Sequence, residues 1–299
     1  MEYILKNKVG IKNDLASFCL ITYNQENFIE EAITSALRQT YTNLEIIISD
    51  DASTDTTPAI IRKVVAEYEG PHKIITNFNS INLGLVRHVN KVLYEISKGY
   101  YVFLAAGDDI SMDDRVARTV RFYKNNKNVV ATGSDVQQID DCSNIVNYNG
   151  CQKKSADRIL DLHFFLSPHY KHLYGCTRSF SREVINSFPP LDETCPTEDT
   201  TLLFRAFLLK EKVGDMKDIL VKYRIHRDNL SSPENIVLMR VRDIFSQYNK
   251  DLLWAFKRNY ITKSEYKALK KELLKRKLYR LNKNGILQGF IYKLLDFLK

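Results

Sequence analysis

Short continuous apolar runs, each stopped by a polar cluster, alternate with helical spacings through the first half of the chain. Phe18-Cys19-Leu20-Ile21 runs into Thr22-Tyr23-Asn24-Gln25-Glu26. Leu44-Glu45-Ile46-Ile47-Ile48-Ser49 runs into Asp50-Asp51-Ala52-Ser53-Thr54-Asp55. Tyr100 to Ala106 runs into Gly107-Asp108-Asp109. Apolar runs of this length bounded by turn residues predict strands of a parallel sheet covered on both faces. Between the first two, Phe28, Ile29, Ala32, Ile33, Ala36 and Leu37 recur at helical spacing, and Pro58 suits the first turn of a second helix. The pattern continues as a strand at 73–76, helices at 85–97 and 114–125, and a strand at 129–133. The fold class is therefore α/β. The three polar clusters fall at the carboxyl edge of the sheet, where open α/β sheets bind ligands.

The second half is less regular. Residues 135–160 are polar and read as a loop insertion, followed by an aromatic-rich helix at 162–174 and a strand at 176–180. Glu198-Asp199 opens a helix to 209, and a closing strand at 219–225 leads into Arg224-Ile225-His226-Arg227-Asp228-Asn229. Beyond it the chain reads helical to its end, with apolar positions such as Leu269, Leu273, Leu274 and Leu278 interleaved with lysines and arginines.

The 299 residues suffice for one large or two small domains. The net charge of +8 is concentrated at the end, because 251–299 holds 13 Lys or Arg against 4 Asp or Glu. A basic amphipathic region fits an anionic membrane surface; it equally fits a helical subdomain packed on the core with a solvated lysine face. No nucleic-acid module accompanies the charge, so nucleic acid is not an expected partner. No run of 18 apolar residues occurs and the charged amino terminus lacks an apolar leader core, which predicts a cytoplasmic protein, peripheral at most on the inner face of the plasma membrane. Five scattered cysteines without a Cys-x-x-Cys pair read as reduced thiols. His169, His172 and Cys176 have a superficially zinc-like spacing, but Phe164, Phe165, Tyr170 and Tyr174 make the segment a packed helix.

Adjacent carboxylates at a strand tip are where a hard cation sits, sharing oxygen ligands with a substrate phosphate. Asp108 and Asp109 supply that chemistry, the alternative being a turn or helix cap. Taken in order, Thr22-Tyr23-Asn24-Gln25-Glu26, Ser35 to Tyr41, Asp50 to Asp55, Asn82-Leu83-Gly84, Gly107-Asp108-Asp109, Glu198-Asp199 and Tyr223-Arg224-Ile225-His226 resemble the family 2 glycosyltransferases of the GT-A fold over residues 15–230.

The resemblance implies an inverting, metal-dependent hexosyl- or N-acetylhexosaminyltransferase using a UDP-sugar and Mn²⁺ or Mg²⁺. The acceptor would be a saccharide or lipid-linked saccharide in capsule, O-antigen or other surface-glycan assembly. Residues 1–230 would then form the glycosyltransferase domain, with a nucleotide-binding half at about 15–134 and an acceptor half at about 135–230, followed by the basic amphipathic helical region at 231–299. The resemblance assigns Thr22, Tyr23, Asn24, Glu26, Asp51, Asn82, Gly84, Arg87 and Asp108 to the nucleotide sugar. The metal falls to Asp108, Asp109 and His226, with Arg224 an alternative phosphate partner. Asp199 becomes the catalytic base, with Glu198 beside it. Ala106 replaces the first Asp of the usual Asp-x-Asp. That departure motivates a rival reading as a catalytically weakened sugar-nucleotide binder; the basic tail motivates another as a membrane-surface scaffold.

Overall fold

The computed structural model describes residues 14–146, 154–167, 173–227, 229 and 240–283. Four parallel strands, β1 (Ala16–Thr22), β2 (Leu44–Asp50), β3 (Lys73–Phe78) and β4 (Tyr101–Ala106), lie in the order β3-β2-β1-β4. The sheet continues through β8 (Ser179–Ser181), antiparallel to β4, then β6 (Val129–Ile139) and β9 (Lys212–Arg224), which pair in parallel. The long β9 pairs with β7 (Arg158–Leu160) along its first part and with β5 (Ile110–Ser111) near its end.

The pleat sends alternate residues to opposite faces, and each face has its own core. Phe18, Leu20, Ile46, Ile48 and Phe103 pack with α1 (Ile29–Leu37), α2 (Thr57–Ala66) and α4 (Arg115–Asn125). Cys19, Ile47, Val102 and Leu104 face α3 (Leu85–Asn90, continued by a π turn over Lys91–Ile96), α6 (Arg182–Asn186) and α7 (Asp199–Leu208). The same cluster takes in Val241, Ile244, Phe245, Leu252 and Ala255 of α8 (Val241–Lys257) and Leu269, Leu273 and Leu281 of α9 (Lys263–Lys283). Those apolar positions of the basic tail are used up in the protein interior. Arg205 of α7 grips Asp251 of α8 through two hydrogen bonds of 2.9 Å, both side chains fully buried.

Several elements differ from the pattern read along the chain. β6 continues to Ile139 instead of giving way to a loop at 135, because the buried Asp135 meets Lys154 at 2.7 Å. β9 begins at Lys212 for a similar reason: Asp215, fully buried, lies between Lys154 at 2.6 Å and Arg158. The strand expected at 176–180 is a 3₁₀ turn over Gly175–Thr177 followed by β8. The helix expected at 162–174 is α5 (Leu162–Leu166), whose N-cap Asp161 accepts the Phe164 N–H at 3.1 Å. His169 and His172 lie outside the described residues, as does 284–299.

Candidate active site

The loops that leave β1 and β2 are stitched into one frame. The Asn24 N–H donates to Ser53 Oγ and the Thr54 N–H to Asn24 Oδ1, each at 2.8 Å. Glu26 accepts from the Thr56 N–H (3.0 Å) and Thr56 Oγ1 (2.6 Å), bonds that lower its carboxyl below the ordinary range. Asn24 (φ 51°) and Ala52 (φ 60°) both adopt the left-handed region, a strained conformation for alanine. The Asn24 and Glu26 side chains are thus framing groups, whereas Tyr23 stands 43 % exposed on the frame.

Asp51 is buried at the end of β2 and accepts three hydrogen bonds: from Asn79 Nδ2 (2.8 Å), the Leu83 N–H (2.9 Å) and the Gly84 N–H (2.9 Å). Asn82 Oδ1 also accepts from the Gly84 N–H, at 2.8 Å. The carboxylate therefore fixes the 79–84 loop and the start of α3. Arg87, one turn into α3, is exposed and lies 3.6 Å from Glu193. Behind Asp51, Ser49 Oγ meets His88 Nε2 at 2.6 Å, and burial keeps the His88 imidazole below its usual pKa.

At the tip of β4, Gly107 lies against Thr22, where a Cβ would strike Thr22 Oγ1. The absence of that atom lets the β1 and β4 tips close up. Thr22 Oγ1 is buried with no hydrogen-bond partner among the described residues. Asp108 Oδ2 sits 3.0 Å from His226 Nε2, just past β9, and the His226 ring packs on Phe28 at 4.9 Å. Asp109 goes inward: its Oδ1 accepts the Arg224 N–H at 2.9 Å, and burial, reinforced by Asp108, pushes its carboxyl well above the ordinary range. Arg224 is fully buried, donating to Asp108 O (2.9 Å), Asp140 O (3.0 Å), Ser143 Oγ (3.0 Å) and Glu31 Oε2 (2.5 Å). It ties α1, the end of β4 and the 140–143 turn together. Among the described residues no three His, Cys, Asp or Glu converge as a metal cluster. Asp108 and His226 could offer a cation two donors, a number suited to one that takes further oxygens from a diphosphate.

Glu198, as N-cap, and Asp199 open α7. Asp199 Oδ2 lies against Gly175 and 3.2 Å from Arg178 Nη1. Burial, with Asp199 next in sequence, pushes Glu198 up to about 7. Cys176, within the same turn, feels Asp109, Arg115, Asp108 and Arg178, and burial holds its thiol well above the usual range. The turn therefore lies close to the Asp108-Asp109 tip at Cys176 and against Asp199 at Gly175. Arg115 of α4, fully buried and lowered to about 10 by that burial, donates to Leu104 O (2.9 Å) and Cys176 O (3.0 Å), fixing the turn to β4. Arg115 and Glu31 carry no signal in the linear pattern, since the partners that give them their roles here, Leu104 and Cys176 for Arg115 and Arg224 for Glu31, lie well away in sequence.

The sequence profile of Glycosyl transferase family 2 matches residues 17–188. The chain belongs to this family. An uncharacterised glycosyltransferase of Haemophilus influenzae is 28% identical over 238 residues, spanning 74% of this chain and 68% of that protein. The putative glycosyltransferase EpsE of Bacillus subtilis is 34% identical over 119 residues, 40% of this chain and 42% of EpsE. Among solved structures, residues 1–349 of S. aureus TarS superpose with a TM-score of 0.67 at 16% identity, covering 93% of this chain and 77% of that one. TarS is also known in complex with UDP and with UDP-GlcNAc. The mannosyltransferase PcManGT of Pyrobaculum calidifontis, in complex with GDP-Man and Mn²⁺, gives a TM-score of 0.57 at 13% identity over 98% of this chain and 83% of its own. The shared architecture is the GT-A fold, and the protein is a glycosyltransferase.

Proposed function

We propose that the protein transfers a hexosyl or N-acetylhexosaminyl group from a UDP-sugar, with inversion and with Mn²⁺ or Mg²⁺, to a saccharide or lipid-linked saccharide in surface-glycan assembly. The observation that carries this reading is the pairing of Asp108 with His226 at 3.0 Å, with Asp199 held against Gly175 of the neighbouring 3₁₀ turn. Complexes of TarS with UDP and UDP-GlcNAc support the nucleotide, and the PcManGT complex supports the cation.

The residues present fit both groups. Asp108 and His226 would hold the cation, and Thr22 Oγ1 is a buried hydroxyl still able to bond a ligand. When bound, the cation neutralises charge developing on the departing diphosphate. Tyr23, exposed on the frame, stacks on the uracil; Asp51, while ordering the 79–84 loop, keeps acceptor capacity on Oδ2 for the imide N–H. Arg87 flanks the nucleotide. Asp199 takes the proton of the acceptor hydroxyl as that oxygen attacks the anomeric carbon from the face opposite the diphosphate. Glu198, near 7, carries only part of a second negative charge beside it. The exposed Lys267, Lys270 and Lys271 of α9 support attachment to an anionic membrane bearing a lipid-linked acceptor.

The test is UDP release from UDP-glucose, UDP-galactose and UDP-N-acetylglucosamine with Mn²⁺, with NMR of the product's anomeric coupling. A β-linked product from an α-linked donor is expected. A retained α configuration removes the single-displacement role of Asp199, and turnover of GDP-mannose in place of all three UDP-sugars replaces the nucleotide.

A further inference from the structure

The carboxylate of Asp199 is held in a cradle whose walls come from the segment between the acid tip of β4 and β8. On one side is Gly175, where a Cβ would fall inside van der Waals contact of Asp199 Oδ2. On another is the guanidinium of Arg178, 1 % exposed, with Nη1 at 3.2 Å from the same oxygen. Arg178 Nη2 donates to Leu173 O at 2.6 Å, which fixes the fork, while Nε and Nη1 have no partner meeting hydrogen-bond geometry among the described residues. Asp199 Oδ1 accepts the Thr200 N–H at 2.5 Å. A buried cation with two incompletely used donor atoms is costly to maintain unless its charge is used, and the acid at 3.2 Å is the group it faces.

We infer that Arg178 and Gly175 are positioning residues for the transfer step: the guanidinium pulls Oδ2 of Asp199 inward, the bare Cα of Gly175 makes room for it, and together they fix where the acceptor hydroxyl must present its proton. This inference rests on the reading of Asp199 as the base. Among the described residues, neither makes a hydrogen bond or ion pair with Asp51, Tyr23 or Asp108, the groups read as meeting the nucleotide. Their loss therefore falls on kcat and leaves UDP affinity alone. Displacing a catalytic group by about 1 Å costs roughly 10²-fold in rate.

The experiment compares Arg178→Gln, Arg178→Lys and Gly175→Ala with the wild type, each also in an Asp199→Asn background. UDP release is measured from whichever of UDP-glucose, UDP-galactose and UDP-N-acetylglucosamine the wild type turns over fastest, and UDP affinity by calorimetry. Arg178→Gln and Gly175→Ala should each lower kcat by about 10²-fold with UDP affinity within twofold of wild type, and Arg178→Lys should recover part of the loss by restoring the charge. On Asp199→Asn neither substitution should cost more than another twofold. Crystal structures of Arg178→Gln and Gly175→Ala should show the Asp199 carboxylate displaced, a readout independent of turnover. Unchanged kcat, an equal loss on the Asp199→Asn background, or an Asp199 carboxylate still in place in both crystals each overturns the cradle. Full turnover by Asp199→Asn alone strikes instead at the reading of Asp199 as the base.

Discussion

Removing the Asp251 carboxylate should undock the C-terminal helices and leave a measurable signal in the one tryptophan of the chain. Asp251→Ala strands the Arg205 guanidinium, which is 0 % exposed and bonded to both carboxylate oxygens at 2.9 Å, and also deprives Gln247 of its 2.9 Å contact with Oδ1. Breaking a buried pair by taking away one partner costs about 3–5 kcal/mol, because the remaining charge has no water to return to. Trp254 of α8 donates its indole N–H to Ser187 O at 2.9 Å, so its fluorescence reports whether α8 stays seated. With a urea m-value of about 3 kcal/mol/M, a loss of ~4 kcal/mol lowers the Trp254 midpoint by roughly 1.3 M. Burial raises the Asp251 carboxyl even against the pull of Arg205, so the pair itself adds little net stability. Arg205→Met combined with Asp251→Leu should accordingly return the midpoint to within about 1 kcal/mol of wild type. A midpoint shift under roughly 0.3 M for Asp251→Ala would refute the argument, as would a double variant no better than the single one.

Other outcomes follow from single features. Ala52→Gly removes left-handed strain of about 1–2 kcal/mol, offset partly by glycine's greater chain entropy, and should raise Tm by about 2 °C; a lower Tm would mean φ 60° costs alanine nothing here. Glu198 has a folded-state pKa near 7 against an ordinary 4.5, so its protonated form favours the fold below about 4.5 and that contribution, on the order of 3 kcal/mol, is lost as pH rises through 7. Glu198→Gln should then match wild-type stability at pH 4 and exceed it at pH 8, and parallel stability profiles would contradict the assignment. Replacing Lys267, Lys270 and Lys271 by Gln should weaken partitioning onto phosphatidylserine vesicles by roughly 10²-fold at about 1 kcal/mol per lysine; unchanged sedimentation would remove α9 from the membrane contact.

The parallel half of the sheet was legible because β1, β2 and β4 are covered on both faces and their residues have no reason to be polar until the strand ends. The second half was not, because its strands carry charges that only tertiary partners make tolerable. Asp135 and Asp215 look like loop residues until Lys154 and Arg158 arrive from 19 and 57 positions away. The carboxylates at Asp51, Asp108 and Asp199 stood out by their place at strand and helix ends. What the pattern could not show is how these groups are held: Asp109 and Arg224 read as ligand groups and are both buried, Asp109 accepting the Arg224 N–H, while Arg178 of Gly175-Cys176-Thr177-Arg178 faces Asp199. The basic tail likewise read two ways, and its described portion spends Leu252, Ala255, Leu269 and Leu273 on the core.

Calorimetric titration of UDP with and without Mn²⁺ asks whether Asp108 and His226 hold a divalent cation that binds the diphosphate of a UDP-sugar. Wild-type protein should bind UDP with Mn²⁺ and far more weakly in EDTA, and Asp108→Asn and His226→Ala should bind weakly and equally in both. Wild-type affinity for UDP that is the same in Mn²⁺ and in EDTA would contradict this role for Asp108 and His226.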